Sequence, residues 1–265
     1  MVLPRLLRGV SRWREARALE RHAIPDELWS RILAAFPFIA ARSEDDRQTL
    51  RTLSSLFLSR KEFHGAQGIE VTDEMAVAIA AQACLPILKF GIDAYDRFVG
   101  IVVHPDEVVA SREVMDDDGV VHEYDEVLTG EAVEGGPVML SWSDVVAATT
   151  DSDETVYNVV IHEFAHVLDM VDGAADGVPP LPSLAARDAW IECIDAEYER
   201  FAERIDAGEE DTLLDPYGAE AVEEFFAVAV EAFFVAPQAM RDEHPRLYEL
   251  FRGYFKQSPA DQPGA

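Results

Sequence analysis

The sequence contains two histidines four residues apart, inside a stretch that is typical of a buried helix. Residues 162–166 read His-Glu-Phe-Ala-His, and the stretch from Thr155 to Val171 contains neither glycine nor proline. At 3.6 residues per turn, His162 and His166 share one helical face and reach a single ion, while Glu163 lies beside them. Neutral imidazole suits zinc, and a catalytic zinc keeps one position open for water. The pattern predicts a zinc hydrolase in which Glu163 takes a proton from that water.

The sequence also predicts where this helix begins and ends. Asp151, Ser152 and Asp153 are the predicted N-terminal caps, and Gly173 is the predicted C-terminal stop. Apolar side chains cover most of the circumference, so we expect the helix inside the protein. They are Val156, Val159, Val160, Phe164, Val167, Leu168 and Val171. The alternative interpretation, two hydrogen-bonded core histidines, is disfavoured by a charged glutamate between them on a buried helix.

A second apolar helix, predicted from Ala219 to Val235, offers a third metal ligand. It carries four glutamates, namely Glu220, Glu223, Glu224 and Glu231. Glu224 and Glu231 are seven residues apart and lie on nearly the same face, where Ala227 leaves room for another helix. We predict that Glu224 is the third ligand and that Glu231 accepts the outer N–H of a ligating histidine. The alternative is a solvent-exposed row of glutamates.

Asp169 lies three residues after His166 and shares its helical face. Its carboxylate is placed either to orient a ligand or to hold the following loop. Alternatively, it is a charge at the end of a helix that emerges into solvent. The sequence leaves these alternatives open.

These motifs resemble those of the Mlc titration factor A zinc peptidase family and, more distantly, the protease domain of anthrax lethal factor. The matching residues are His162-Glu163-Phe164-Ala165-His166, Asp169, Tyr217-Gly218, Glu224-Phe225-Phe226-Ala227 and Glu231. The likeness covers residues from about 25 to 256. It implies a zincin-like fold of the gluzincin type and one zinc ion per chain, held by His162, His166 and Glu224. It also implies that the Tyr217 hydroxyl lies near the metal and stabilises the oxyanion.

The residues and the resemblance together predict metal-assisted hydrolysis of peptide bonds, aminopeptidase-like or limited endopeptidase. Glu163 is the expected general base, which afterwards delivers its proton to the departing amine. The enterobacterial family member is known for sequestering a glucose-responsive transcriptional repressor. The resemblance therefore also implies a regulatory alternative, in which this protein binds a repressor and catalysis is secondary. The expected partners are a peptide or protein substrate and such a repressor.

The net charge of −29 is distributed unevenly. Residues 1–22 contain six arginines and two glutamates, a charge of +4, so the remaining residues carry −33. Such an acidic body argues against direct nucleic-acid binding, which depends on neutralisation of phosphates by Lys and Arg. The basic N-terminal segment is expected either on an anionic membrane surface or against the acidic body of the protein.

Length and composition agree with one soluble domain, which we expect in the cytoplasm. The 265 residues are 49% hydrophobic, enough for a single core. No apolar run approaches the ~20 residues that span a bilayer, and residues 1–10 lack the continuous apolar region of a secretory signal. Cys84 and Cys193 are expected to be buried free thiols. We predict a basic segment over 1–24, a zincin-like domain over 25–256 and a flexible tail over 257–265.

The order of predicted elements indicates an α+β fold with a helical N-terminal cap and a small mixed sheet. The predicted helices are Pro25–Phe36, Asp45–Leu58 and Thr72–Leu85, and the predicted strands are Phe98–His104, Glu107–Ser111, Val120–Val127 and Val138–Trp142. Asp118-Gly119 is a predicted hairpin turn. Because an edge strand beside the metal helix of zincins binds extended substrate, we assign that role to Val138–Trp142.

Overall fold

The structure is a computed structural model that describes residues 15, 17–115, 121–133, 135–148, 155–173, 175–209 and 211–262. The α-helices over these residues are α1 (Asp26–Ala35), α2 (Pro37–Ala40), α3 (Glu44–Arg60), α4 (Asp73–Cys84), α5 (Trp142–Ala147), α6 (Val159–Asp169), α7 (Leu184–Asp206), α8 (Val222–Val235), α9 (Pro237–Glu243) and α10 (Pro245–Phe255). The strands are β1 (Glu62–Gly65), β2 (Gly100–His104), β3 (Val108–Met115), β4 (Val121–Leu128), β5 (Gly130–Ala132) and β6 (Val138–Ser141). The predicted turn at Asp118-Gly119, the predicted caps Asp151, Ser152 and Asp153, and residues 1–14 of the basic segment lie outside the described residues.

The three predicted N-terminal helices are present as α1, α3 and α4, each within two residues of its predicted ends. Side-chain caps fix two of the starts. The Ser43 hydroxyl accepts a hydrogen bond from the Asp46 N–H at 3.2 Å, and the Thr72 hydroxyl accepts one from the Met75 N–H at 3.3 Å. Both are N-cap residues that satisfy a backbone donor of the first turn. These helices form the predicted helical N-terminal part, and α4 packs against α6.

Four strands form the predicted small mixed sheet, in the order β1-β2-β6-β5. β1 pairs with β2 and β2 with β6 in parallel, whereas β5 pairs with β6 in antiparallel register, Gly130 opposite Leu140. β3 and β4 form a separate two-stranded antiparallel sheet. An α+β architecture with a mixed sheet is therefore confirmed.

The prediction that Val138–Trp142 forms the edge strand is wrong. These residues form β6, which has a neighbour on both sides, and Trp142 already belongs to α5. The inward-facing Val138 and Leu140 are buried, as suits an internal strand. The edge beside α6 is β5. The sequence does not predict β5, since its three residues, Gly-Glu-Ala, lack the apolar and β-branched pattern of a strand.

The helix that carries the histidine motif, α6, begins at Val159, four residues later than predicted. Its N-cap is Asn158, whose side-chain oxygen accepts from the Ile161 N–H at 2.9 Å. The chain at Val156 is instead tied to another segment, because its N–H donates to Leu213 O. A 3-10 turn over Met170–Asp172 follows α6 and ends at Gly173 with φ of 108°, so Gly173 is the stop that the sequence predicts.

An aromatic cluster around Phe164 holds α6 in place. The Phe164 ring, fully buried, lies 5.1 Å from the Tyr95 ring, 5.6 Å from the Phe57 ring and 5.7 Å from the Phe98 ring. Such tilted and edge-on aromatic pairs stabilise a core beyond simple burial. On its other flank α6 packs against α8, whose middle is almost wholly buried. Phe164 therefore anchors the helix that presents His162 and His166.

The described part of the predicted C-terminal tail is packed rather than flexible. The Gln257 side chain is buried and donates to Leu85 O at 2.9 Å, and the Gln262 side chain accepts from the Ser43 N–H at 3.1 Å. Pro259 and Ala260 are buried as well. These contacts join residues 257–262 to the N-terminal helices, which explains why the tail prediction fails there.

Two further predictions concern cysteines and membrane spans. Cys84 and Cys193 are both buried free thiols, as predicted. Over the residues that the structure describes, no helix combines the length and the apolar character that crossing a bilayer requires.

Candidate metal centre

Three predicted ligands converge at one point between α6 and α8. Glu224 Oε2 lies 3.0 Å from His162 Nε2 and 3.3 Å from His166 Nε2, and the two Nε2 atoms are 3.2 Å apart. Among the described residues, this is the group of three His, Cys, Asp or Glu side chains whose ligand atoms all lie within 4.8 Å of one another. The spacing of four residues on α6 places both imidazoles on the face that α8 covers.

The dimensions of this triangle match a zinc site. Zn–N and Zn–O bonds of about 2.0–2.1 Å in tetrahedral geometry separate neighbouring ligand atoms by about 3.3 Å. The three observed separations, 3.0, 3.2 and 3.3 Å, are close to that value. Two imidazole nitrogens and one carboxylate oxygen are also ligand types that zinc accepts. The residues present therefore fit a single zinc ion.

The hydrogen bonds of His162 direct its Nδ1 to Glu231 and its Nε2 to the triangle. Its Nδ1 lies 2.8 Å from Glu231 Oε1, and since a carboxylate only accepts, Nδ1–H is the donor. The neutral tautomer then leaves a lone pair on Nε2, directed at Glu224. A lone pair facing a carboxylate requires a cation between them, either a proton or a metal ion.

The charges at the centre agree with this requirement. Burial acts to lower the pKa of His162, but hydrogen bonds to Glu224 and Glu231 overcome it and hold that pKa well above the usual histidine value. Burial acts to raise the pKa of Glu224, but the two histidines lower it to about 2. Glu224 is therefore an anion at neutral pH, and the site attracts positive charge.

Glu231 is almost fully buried and links His162 to a polar network that the sequence does not reveal. Its second oxygen accepts from the Asn158 backbone N–H. The Asn158 side chain, besides capping α6, donates to Gln82 Oε1 at 2.7 Å, and Gln82 lies buried in α4. Burial raises the pKa of Glu231 even though it pairs with His162. A series of hydrogen bonds from Gln82 of α4 through Asn158 and Glu231 thus orients the imidazole of His162.

Glu163, the predicted general base, lies beside the ligands and lines the same cleft. It is 5% exposed, and burial raises its pKa to about 7 against the lowering effect of His162 and His166. The wall next to it is the edge strand β5, where Gly130 approaches the carboxylate closely. A carboxylate whose pKa lies near neutrality is suited to accept and return a proton.

Tyr217 is brought to the mouth of the site by a 3-10 turn over Pro216–Ala219. Asp215 caps this turn by accepting from the Tyr217 N–H at 2.9 Å. Gly218 lets the turn lie directly on α8, since a β-carbon there would lie 2.5 Å from Val228 Cγ2. The Tyr217 ring centre lies 6.2 Å from that of His162, and the residue is 42% exposed. The structure thus places Tyr217 in the cleft, beside the ligand triangle.

Asp169 is fully buried, so the interpretation of a charge emerging into solvent is wrong. Its Oδ2 accepts from the Gly177 N–H at 2.8 Å, and Gly177 O in turn accepts from the Trp190 indole at 2.8 Å. These bonds tie the loop after α6 to α7. The same loop supplies Ala175 to the wall of the cleft. Asp169 therefore holds the loop that follows the helix, one of the roles left open above.

Comparison with known proteins identifies the family. The profile of the glucose-regulated metallo-peptidase M90 family matches residues 10–256. The chain belongs to the M90 family. It is 36% identical to the Synechocystis sp. protein slr2042 over 249 residues, which are 93% of this chain and 89% of that protein. It is 36% identical to Mlc titration factor A of Serratia proteamaculans over 228 residues, 85% of each chain. It is 32% identical to Mlc titration factor A of Escherichia coli O1:K1 / APEC over 250 residues, 93% and 91% of the two chains.

The resemblance that the motifs indicate is thereby confirmed, and this M90 member belongs to a family of metallo-peptidases. The match spans the motif helix α6, the turn with Tyr217 and the ligand helix α8. A metallo-peptidase requires side chains that can hold a metal ion, and the structure brings together His and Glu side chains whose atoms could do so.

The cleft of this M90 member is strongly acidic. It has a volume of about 630 Å³ and is lined by parts of β5, α6, α8 and the turn with Tyr217. Seven carboxylates line it, and among the described residues no Lys or Arg does. They are Glu131, Glu163, Asp215, Glu220, Glu223, Glu224 and Glu231. Such a lining favours positively charged ligands and disfavours acidic ones.

We expect Asp169→Asn to stabilise this M90 member at alkaline pH. Burial raises the pKa of Asp169 from 3.8 to about 6. A carboxyl whose pKa is raised in the folded state adds to the free energy of unfolding while it is protonated, at pH values below its unfolded-state pKa. This contribution is lost as the pH rises through the pKa of the folded state. At 1.4 kcal/mol per pKa unit, the ionised form costs the folded state up to about 3 kcal/mol. The asparagine variant does not have this cost.

The measurement is the free energy of unfolding in urea at pH 5 and pH 8, with EDTA present so that metal binding does not contribute. The gain of Asp169→Asn over the parent protein is expected to be larger at pH 8 by about 1 kcal/mol or more. Asp172→Asn, at an exposed neighbouring carboxylate, is the matched control and should show no such difference. A gain from Asp169→Asn that is equal at both pH values would contradict the prediction.

Proposed function

We propose that this protein is a zinc-dependent peptidase of the gluzincin type. The observation that carries the proposal is the convergence of His162, His166 and Glu224 on one point, with Glu163 beside them in an open cleft. In this proposal the three converging side chains hold the metal, Glu231 orients His162, and Asp169 holds the loop that follows α6. A docking surface needs neither a general base nor three ligands at bonding separation.

The chain's own residues supply defined parts of the reaction. A bound zinc ion would supply Lewis acidity, which polarises the scissile carbonyl and strengthens water as a nucleophile at neutral pH. Glu163 accepts the proton of the attacking water and gives it to the departing amine. Tyr217, whose ring centre lies 6.2 Å from that of His162, donates a hydrogen bond from its hydroxyl to the oxygen that gains negative charge. Glu231 keeps His162 in the tautomer that can ligate.

The acidic lining supports a preference for substrates with a positive charge near the cleaved bond. Glu220 lies two residues before α8 and Glu223 in its first turn, next to Glu224, and both line the cleft. A free N-terminal amine is a positive charge that every unblocked peptide carries close to its first bond. This favours an aminopeptidase-like activity over cleavage within long chains.

The proposed function is tested by Glu163→Gln. Glutamine keeps the size of the side chain but cannot accept a proton, so hydrolysis is expected to fall by about 10²- to 10⁴-fold. Zinc content by elemental analysis should stay at the level of the parent protein, since Glu163 is not a ligand. Glu199→Gln, at an exposed position on α7, is the matched control. Full turnover by the Glu163→Gln variant would remove Glu163 from the mechanism.

The same assay distinguishes the type of peptidase when each peptide is supplied with a free and with an acetylated N-terminus. An aminopeptidase-like enzyme should cleave the free form and spare the acetylated one. Equal cleavage of both forms would indicate an endopeptidase and would remove the role proposed for the acidic lining in binding the amine.

A second candidate function follows from the names of the relatives. Several of them are called Mlc titration factor A, a name that describes the binding of another protein. We propose as the alternative that this chain binds a transcriptional repressor of that kind, with catalysis secondary. Pull-down of a candidate repressor by the parent protein and by the Glu163→Gln variant separates the two. Capture that is equal in both would show that binding does not depend on catalysis.

A further inference from the structure

The edge strand β5 lies closer to Glu163 than an ordinary side chain would permit. A β-carbon placed on Gly130 would lie 2.5 Å from Glu163 Oε1, 2.7 Å from its Cγ and 2.8 Å from its Cδ. Favourable contacts between non-bonded carbon atoms occur at about 3.5–4.0 Å. Any residue other than glycine at position 130 therefore collides with Glu163 in its observed position.

The need for glycine comes from space and not from backbone conformation. Gly130 is absent from the glycines with positive φ, so alanine can adopt its backbone angles without strain. It lies within a paired strand, opposite Leu140 of β6. The three atoms that a β-carbon would approach most closely there all belong to the Glu163 side chain.

Neither the strand nor the helix can easily move to relieve this collision. β5 is held on β6 by its ladder, and Thr129 O accepts from the Ser141 N–H at 2.8 Å. α6 is held by the ring of Phe164, which packs against three other aromatic rings. The element with the least support is the Glu163 side chain itself, so a methyl group at position 130 displaces its carboxylate.

We propose that Gly130 is a positioning residue for Glu163. By lacking a side chain, it lets β5 form the wall against which the base is held while Glu163 lines the cleft. The effect on rate rests on the proposed peptidase function. The contact itself does not, and it is testable without any substrate.

The kinetic test is Gly130→Ala, assayed on an unblocked peptide together with the zinc content. A general base displaced by about 1 Å loses on the order of 10²-fold in rate. We expect kcat to fall by that factor, with zinc content unchanged and KM within about threefold of the parent value, since ligands and cleft stay in place. Gly253→Ala on α10 is the matched control, because a β-carbon there meets nothing within 4 Å.

The second test measures the contact through stability, with a double-mutant cycle of Gly130→Ala and Glu163→Ala. Gly130→Ala is expected to lower the urea midpoint of the parent protein but to leave that of the Glu163→Ala variant unchanged, because the colliding side chain is then gone. Should Gly130→Ala alone fail to fold, the double variant is expected to fold.

The outcomes separate this inference from the proposed function. A kcat within threefold of the parent value at full zinc content, or equal midpoint shifts in both backgrounds, would overturn the role of Gly130. If the parent protein hydrolyses no peptide, the peptidase proposal fails, and the stability cycle alone decides whether Gly130 positions Glu163.

Discussion

Replacement of Glu224 by glutamine is expected to empty the metal centre. In the proposed zinc site Glu224 supplies the negatively charged ligand, and its oxygen lies 3.0 Å and 3.3 Å from the two histidine nitrogens. An amide oxygen carries no charge, and two neutral imidazoles alone bind zinc weakly. Zinc per chain should fall from about one to near zero after dialysis. Hydrolysis should fall with it, by about 10³-fold or more.

The adjacent Glu223→Gln is the matched control for metal binding. Glu223 also lines the cleft, but its oxygens do not belong to the group of converging ligand atoms. The variant should keep the zinc content of the parent protein, measured by elemental analysis on the same preparation. Loss of zinc from Glu223→Gln, together with retention by Glu224→Gln, would show that the wrong glutamate of α8 has been chosen as the ligand.

The site residues that the sequence identifies are those whose arrangement is local. His162, Glu163 and His166 lie within one and a half turns of a single helix, so helical periodicity alone places them together. Glu224 and Glu231 are harder to identify, because one must decide which side of a second helix faces inward. Their spacing of seven residues and the small residue between them indicate that side, and the structure brings both carboxylates to His162.

The parts that the sequence does not reveal depend on contacts between distant segments. Gly130 is separated from Glu163 by 33 positions, and nothing in its own neighbourhood distinguishes it from a turn glycine. The N-cap role of Asn158 is predictable from the sequence, because a polar residue directly before an apolar run is a cap signal. The run of acidic residues further upstream predicts an earlier start, and the contact between Val156 and Leu213 prevents it. The edge position of β5 follows from strand order, which no local pattern encodes.

Glu231→Leu is expected to destabilise the protein and to weaken zinc binding. The carboxylate is 1% exposed and accepts from the His162 Nδ1–H and the Asn158 N–H. Two opposing effects must be weighed. Burial of the Glu231 carboxylate has a desolvation cost, which is seen in its raised pKa. Removal of this buried charge by leucine relieves that cost. However, leucine leaves two buried donors without a partner, and each such loss costs about 1–3 kcal/mol.

The cost of the two unpaired N–H donors should exceed the gain from relieved desolvation, because the carboxylate is removed while its donors stay buried. Loss of one partner from a buried pair typically costs about 3–5 kcal/mol, whereas replacement of the whole pair by apolar residues is often neutral. We expect the free energy of unfolding, measured in urea with EDTA, to fall by about 2–5 kcal/mol. Glu199→Leu, at an exposed position, should change it by less than about 0.5 kcal/mol.

The same variant tests whether Glu231 acts on the metal through His162. A carboxylate that accepts the outer N–H of a ligating histidine fixes its tautomer and raises its basicity, which is typically worth about 10- to 100-fold in metal affinity. Zinc affinity, measured by competition with a chelator, should fall by that factor in Glu231→Leu and by less in Glu231→Gln, whose amide oxygen still accepts one hydrogen bond. Because Glu231 does not itself ligate, some zinc binding should survive, in contrast to Glu224→Gln. Unchanged affinity in a stable Glu231→Leu variant would mean that helix packing alone orients His162.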